Sequence, residues 1–260
     1  MQATTRTEQD HYGAFAEWFG SPVGQALLAC ERRVVRRRLE LVFGARQLEV
    51  GIDHSLALAD THNCAHCMRS QVHGGDTLPP GTLVCLPEEL PFGNESLDLV
   101  ILHHTLDISV QPHQALREAS RVLKGGGRLL VVGFNPLSLW GAWRLCSRRQ
   151  RVPWSGRFMA WSRVEDWLRL LAFELESLES YFFRPPLQHQ ATLTRLQGLD
   201  ALGGVRMIPT GAFYMALAEK RVPARIPLRP VWSSSSRRIV GLPAARQRPA
   251  SHAKTDGSVL

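Results

Sequence analysis

Residues 90–136 read LPFGNESLDLVILHHTLDISVQPHQALREASRVLKGGGRLLVVGFNP, and this stretch decides the fold. Leu97 to Leu102 is a nearly unbroken apolar run behind the turn-like Gly93-Asn94-Glu95-Ser96. Such a run suits a strand covered on both faces, as in a parallel sheet. A helix is predicted from Pro112. Ala115, Leu116, Ala119, Val122 and Leu123 recur at helical spacing, with Arg117, Glu118, Arg121 and Lys124 on the other face. Gly125-Gly126-Gly127 is read as the helix stop, because glycine accepts the left-handed C-terminal conformation without steric cost. Arg128 to Phe134 then reads as a second buried strand. Strand, helix and strand with short links make a right-handed βαβ crossover.

The 260 residues allow one domain of about 200 residues plus extensions. No run approaches the roughly 18 apolar residues that a membrane helix needs, and no secretory signal opens the chain. Five scattered cysteines, Cys30, Cys64, Cys67, Cys85 and Cys146, fit reduced thiols in a cytoplasmic protein. The net charge of +8 comes from one end. Nine lysines and arginines against a single acid, Asp256, lie from Lys220 onward, which leaves the remainder balanced. Residues 221–260 are therefore expected to form a basic, disordered tail able to make weak contact with an acidic surface or RNA.

Upstream, Ser21-Pro22 predicts a helix start with serine as cap, and the helix should run to about Val42 and stop at Gly44. Leu27, Leu28, Val34, Val35 and Leu39 form its apolar face, and Arg32, Arg33, Arg36, Arg37 and Arg38 are read mostly as a solvated face. Strands are expected at Gln47 to Ile52, His66 to Gln71 and Thr82 to Leu86, with a short helix from Ser55 to Ala59. Downstream, helices are expected at Leu137 to Arg148, at Ser162 to Phe173 (with Ser162 and Glu165 as a capping box) and at Ala191 to Leu202. Phe173 to Phe183 and Gly211 to Glu219 are the late strands, forming an antiparallel hairpin. The whole reads as an α/β doubly wound sheet. It is mostly parallel and seven-stranded, with an antiparallel last strand.

The runs LPFGNESLDLVILHHTLD and LREASRVLKGGGRLLV resemble the class I S-adenosylmethionine-dependent methyltransferases, in particular the type 11 group. That family has LPF…S-F-D-L-V before its fourth strand and R-E-x-x-R-V-L-K-P-G-G-R-L after the following helix. Here Leu97 stands for the phenylalanine and Gly125 for the proline. RVEDWLRLLAF, residues 163–173, is similar to the family's helix before its sixth strand. The resemblance covers residues 46–220, with 1–45 as an N-terminal helical extension. It implies a Rossmann-like sheet with S-adenosyl-L-methionine bound where the first and fourth strands lie side by side, among segments 49–55, 69–71, 85–88 and 102–107.

The resemblance also says which residues should meet the cofactor. The family pattern E-x-G-x-G-x-G reads here as Glu49, Gly51, Asp53 and Ser55 at its fixed positions. Glycine at 51 lets backbone approach the ligand closely. Asp53 has two readings, a partner for the cofactor ammonium or the cap of the next helix. The family's ribose-binding acid, at the end of strand two, falls among Arg69, Ser70 and Gln71, where only neutral hydrogen bonds are on offer. The family's adenine-binding Asp falls at Leu86, followed by Pro87, with Glu88 and Glu89 expected to face solvent.

His103, His104 and Asp107 end strand four, where cofactor and acceptor meet in the family. Strand alternation should send the two histidines to opposite faces. Packed, hydrogen-bonded roles are favoured for both over general-base roles, and His103 is also a cofactor contact. Asn135-Pro136 either lines the acceptor site or makes an ordinary turn. His62, Cys64, His66 and Cys67 lack a second ligand pair of zinc spacing, and no metal is expected there. Trp140, Trp143, Trp154, Trp161 and Trp167 are read mainly as core and helix-face aromatics.

Two functions from different classes fit these residues. One is a methyltransferase acting on an acceptor that the residues do not name. The other is a non-catalytic binding or regulatory protein that keeps the fold without the cofactor. A nicotinamide enzyme is disfavoured because no G-x-G-x-x-G follows the first strand.

Overall fold

A parallel sheet with one reversed strand organises residues 1–223. The computed structural model describes residues 2–59, 64–72, 78–146, 153, 156–202 and 210–222. The basic tail from residue 223, and with it the expected contact with acid or RNA, lies outside the described residues, as do His62 and Trp154.

The elements in order are α1 Gln2–Phe19, α2 Pro22–Leu39, β1 Gly44–Val50, a 3-10 turn His54–Leu56, β2 Cys64–Gln71, β3 Thr82–Val84, β4 Leu97–His103, α3 Thr105–Ile108, α4 Pro112–Val122, β5 Leu123–Phe134, α5 Leu139–Cys146, α6 Trp161–Leu170, β6 Phe173–Tyr181, α7 Gln190–Arg195, a 3-10 turn Leu196–Leu202 and β7 Phe213–Lys220. The sheet order is β3-β2-β1-β4-β5-β7-β6. Strands β1 to β5 pair in parallel, and β7 runs antiparallel to both β5 and β6. The seven-stranded sheet and its single antiparallel strand are as the sequence predicts. Winding reverses between β1 and β4, where Gln47, Leu48, Glu49 and Val50 pair with Leu99, Val100, Ile101 and Leu102. That crevice is where open α/β sheets bind ligands.

Two apolar layers cover the sheet. On one face α4 and α6 bury Leu116, Val122, Val164 and Leu168 against Leu48, Val100 and Val131. On the other, α1 and α2 bury Phe15, Phe19, Leu27 and Val35 against Leu99, Ile101, Val132 and Phe134. Within the expected helical extension of residues 1–45 the sequence reading delimited no helix before Ser21; α1 spans Gln2–Phe19 and has no acidic residue in its first turn. Helix α2 begins at Pro22 with Ser21 accepting from the Gly24 amide, as predicted, but ends at Leu39.

Three local expectations fail. Gly125-Gly126-Gly127 do not cap α4. The helix stops at Val122, Leu123 is already extended, and the glycines lie inside β5, where only Gly126 takes a positive φ of 78°. The long strand wins because Leu123 pairs with Leu97 across a register shift. Ser162 does not cap α6 either; Ala160 holds the cap position and makes no side-chain hydrogen bond. The helix expected at Ser55 to Ala59 is the single 3-10 turn.

Asp98 locks the start of the sheet. Its Oδ2 accepts from the Ala45 and Arg46 amides, both at 2.9 Å, and its Oδ1 meets Lys124 Nζ at 2.6 Å. Burial works against its ionisation, but Lys124 and the two amides outweigh it and hold the carboxyl below its ordinary range. A depressed carboxylate gives stability that is present above its unfolded value of 3.8 and is lost as pH falls through the lower folded value. Asp98→Ala should cost about 2 kcal/mol near neutrality. The gap between variant and wild type should narrow in urea titrations as pH falls below 3.8 and through the lower folded value; a gap unchanged with pH would refute this.

Candidate functional site

The crevice between β1 and β4 is built from four short segments and a helix. Glu49, near the end of β1, is buried and accepts from the Leu58 amide at 2.6 Å and the Ala59 amide at 3.4 Å, so it shapes the chain beyond the 3-10 turn. Burial raises its carboxyl above the ordinary range, against the opposing pull of His103 and these amides. Gly51 follows. A Cβ there would meet only His103, with Cβ and Nδ1 both at 3.9 Å, although the residue is buried. Packing therefore does not demand glycine at 51. Its missing side chain leaves a small cradle at the switch point.

Asp53 serves as the cap: its Oδ1 accepts from the Ser55 amide at 2.8 Å, while Ser55 itself is exposed. Ser70 and Gln71, both buried, end β2 beside the cradle. Gln71 Oε1 accepts from the His54 amide at 3.3 Å and lies 2.8 Å from His54 Nδ1. Ser70 bonds the Cys85 thiol. Leu86 packs on the apolar cluster that holds Ile52, Leu56, Leu58 and Val72, and Pro87 is buried next to it. Glu88 is a correction: it is half-buried and takes a short hydrogen bond from the Ser109 hydroxyl, while Glu89 is exposed as expected.

The end of β4 also departs from expectation. His103 and His104 do not face opposite ways. Nε2 of His103 lies 3.1 Å from Glu31 Oε2, and Nε2 of His104 lies 2.9 Å from Glu31 Oε1. The strand ends at His103, and His104 takes a left-handed φ of 50°, which turns its ring back to the same side. The strain at a non-glycine residue is held by the contacts around it. Nδ1 of His104 lies 2.8 Å from Asp107 Oδ2, which also accepts from the Phe134 amide at 2.9 Å. Glu31, His103, His104 and Asp107 are each at most 1% exposed. The ring of His104 stacks on Phe134 at 4.1 Å, and Phe19 packs on both histidines.

The charges explain one another. Burial resists ionisation of Glu31, yet the two histidines hold its carboxyl down at about 2. Burial also disfavours an imidazolium at His104, but Glu31 and Asp107 overcome it and raise the ring to about 9. Asp107 is raised by burial, which its partners only partly offset.

The sequence reading passed over Glu31, although a signal existed. It is an acid on the stripe formed by Leu27, Leu28 and Val35, where helical spacing calls for an apolar residue. Its neighbour Arg32 is exposed, as read, but it also docks the helix: its Nε donates to the Ala57 carbonyl and its Nη2 to that of Ser55, both at 2.8 Å. Consecutive residues of α2 thus pin the helix to both lips of the crevice.

Asn135 forms a turn. Its Nδ2 donates to the Gly211 carbonyl, and its Oδ1 accepts from the Leu137 amide, both at 3.0 Å. Trp140 is core, at 1% exposure, whereas Trp143 is 48% exposed. Helix α2 also walls a cavity of about 520 Å³ lined by Gln25, Cys30, Arg33, Arg184 and Asp200 among others. Burial pushes the Cys30 thiol up to about 12, so it stays protonated, and Asp200 pairs with both arginines.

The sequence profile described as a methyltransferase domain matches residues 48–131. The Escherichia coli K12 protein YafS, itself described as uncharacterised, is 32% identical over 193 residues, 74% of this chain and 78% of that one. UbiE of Burkholderia vietnamiensis, a ubiquinone/menaquinone biosynthesis C-methyltransferase, is 33% identical over 141 residues, 51% of this chain and 54% of its own, so the chain spans about half the length of that relative. Among solved structures, a S-adenosylmethionine-dependent methyltransferase of Thermotoga maritima superposes with a TM-score of 0.57 at 20% identity, over 82% of this chain and 98% of that one. The [4+2]-cyclase SpnF does so with 0.51 at 18% identity, over 74% and 80%.

Proposed function

Because the chain belongs to the class I S-adenosylmethionine-dependent methyltransferase family, we propose that it transfers a methyl group from S-adenosyl-L-methionine to an acceptor in the crevice between β1 and β4. The observation that carries this is the Gly51 cradle. It is a buried glycine that packing leaves unfilled, at the switch point and between the two attachments of α2. The domain that does this is residues 46–220, closed by the helices of residues 1–45 and followed by the tail of 221–260. Free thiols at Cys30, Cys64, Cys67 and Cys85 support a cytoplasmic setting.

The residues fit the cofactor through backbone and apolar surface. Gly51 would admit its amino acid end and ribose, with Asp53 and Ser55 shaping the turn that Glu49 steadies from behind. Ser70 and Gln71 would offer the ribose neutral hydrogen bonds where the family has a carboxylate. Leu86 and Pro87 would wall the adenine. His103 Nδ1 borders the cradle. When bound, the sulfonium supplies an electrophilic methyl group, and transfer depends chiefly on alignment. Both nitrogens of His104 are engaged by acids, which makes it and Asp107 positioning groups rather than bases. The acceptor's nucleophile therefore draws no proton transfer from these two residues.

Thermal denaturation with S-adenosylmethionine tests the proposal. At a hundredfold excess over Kd, binding adds about 2.7 kcal/mol, which for this size raises Tm by about 5–10 °C. No shift and no calorimetric heat at millimolar cofactor would refute it. That result would favour the second reading, a methyltransferase-fold binding protein. The observation in its favour is that Arg69, Ser70 and Gln71, among which the ribose acid would fall, include no acid, and Gln71 is engaged with His54. Fold by itself does not select a reaction, as the cyclase neighbour illustrates.

A further inference from the structure

We propose that Glu31, His103 and His104 bind one divalent first-row transition-metal ion, with Asp107 orienting His104 from behind. The donor atoms of the three lie within 4.8 Å of one another, and all three residues are buried. Donors bonded at about 2.0–2.2 Å to a tetrahedral ion sit about 3.4 Å apart. The Glu31 contacts at 3.1 and 2.9 Å need to open by only a few tenths of an ångström to admit one.

The geometry behind His104 points the same way. Asp107 Oδ2 lies 2.8 Å from its Nδ1, while its Nε2 faces Glu31. Histidine ligands commonly donate their other nitrogen to a carboxylate in this way, which fixes tautomer and ring direction. The left-handed backbone of His104 brings both imidazoles to one carboxylate, an arrangement that core packing alone does not ask for.

Two imidazoles and one carboxylate select zinc-like or iron-like ions over magnesium or calcium, which prefer oxygen. Phe19 and Phe134 close the surroundings. One ion would tie α2 to the end of β4, directly beside the Gly51 cradle. This inference does not depend on cofactor binding, and its readout needs none.

The full-length protein, stripped with chelator, is dialysed against Co²⁺ or Zn²⁺ and its metal content and visible cobalt spectrum are measured. The expected result is one ion per chain with d–d bands of nitrogen and oxygen ligation. Affinity should drop at least about tenfold in Glu31→Gln and in His103→Asn, and roughly ten- to a hundredfold in Asp107→Asn. The pair Cys64→Ser and Cys67→Ser should leave it unchanged. Two results would overturn the proposal. One is no retained ion in wild-type protein whose circular dichroism shows it folded. The other is equal uptake by wild type and by every folded variant of Glu31, His103 and Asp107, or uptake lost only with the cysteines.

Discussion

Glu31→Ala is expected to destabilise the metal-free protein by about 3–5 kcal/mol, the usual cost of removing one partner from a buried charged cluster. Two histidines would lose the carboxylate that both nitrogens face at 3.1 and 2.9 Å, inside a site without water access. His104 would remain between Asp107 and a void. For a domain of this size the Tm should fall by about 10 °C. Helix α2 should also come loose, because Glu31 is its polar attachment to β4, and Arg32 would remain as its attachment to the β1 side. Amide exchange along α2 should accelerate more than exchange in β5 or β7. Chemical denaturation of wild type, Glu31→Ala and Arg32→Ala gives the comparison. Arg32 is exposed, and its loss should cost no more than about 1–2 kcal/mol. A Glu31→Ala protein within about 1 kcal/mol of wild type would show that the cluster does not hold the helix.

Gly51→Ala should separate folding from ligand binding. Its φ lies outside the left-handed range, and the added methyl meets only His103 at an ordinary 3.9 Å. Stability should therefore stay within about 1 kcal/mol of wild type, and a slight gain is reasonable because alanine restricts the unfolded chain. Cofactor affinity should respond differently. A methyl group in the cradle costs about 1–3 kcal/mol of overpacking against a bound ligand, or roughly ten- to a hundredfold in Kd. Gly51→Val enlarges the effect. Calorimetric titration of wild type and both variants, beside their melting curves, reads the two effects apart. Equal affinity for all three would move the cofactor away from Gly51.

Much of the architecture was legible because burial writes itself into the periodicity of apolar residues. Leu97 to Leu102 and Leu129 to Phe134 read as covered strands, and the helical spacing of Ala115, Leu116, Ala119 and Val122 marks a buried helix face, as found. Errors gathered where local chemistry competes with long-range pairing. Three consecutive glycines look like a helix stop, yet pairing to β4 and β7 drew that segment into β5. Ser162 and Glu165 look like a capping box, yet α6 starts at Trp161, one residue before Ser162, with Ala160 as cap.

The site was legible only on its sheet side. Glu49, Gly51, Ser70, Gln71 and His103 could be placed at the site through the resemblance, since each falls at or near the end of an expected strand. The cap reading of Asp53 and the turn reading of Asn135 hold, whereas the engagement of Gln71 with His54 had no signal in the sequence.

By itself, then, the sequence determined the strands and helices of the sheet, because these rest on patterns within short windows, and its motifs carried the resemblance that implies the β1/β4 order. Tertiary structure alone decided what roofs the crevice. Glu31 lies 72 residues before His103 and 73 before His104, and no local pattern links them. Only the packing of α2 across β4, together with the left-handed turn at His104, brings one carboxylate to two imidazoles. A buried charge must find its partners wherever the fold places them.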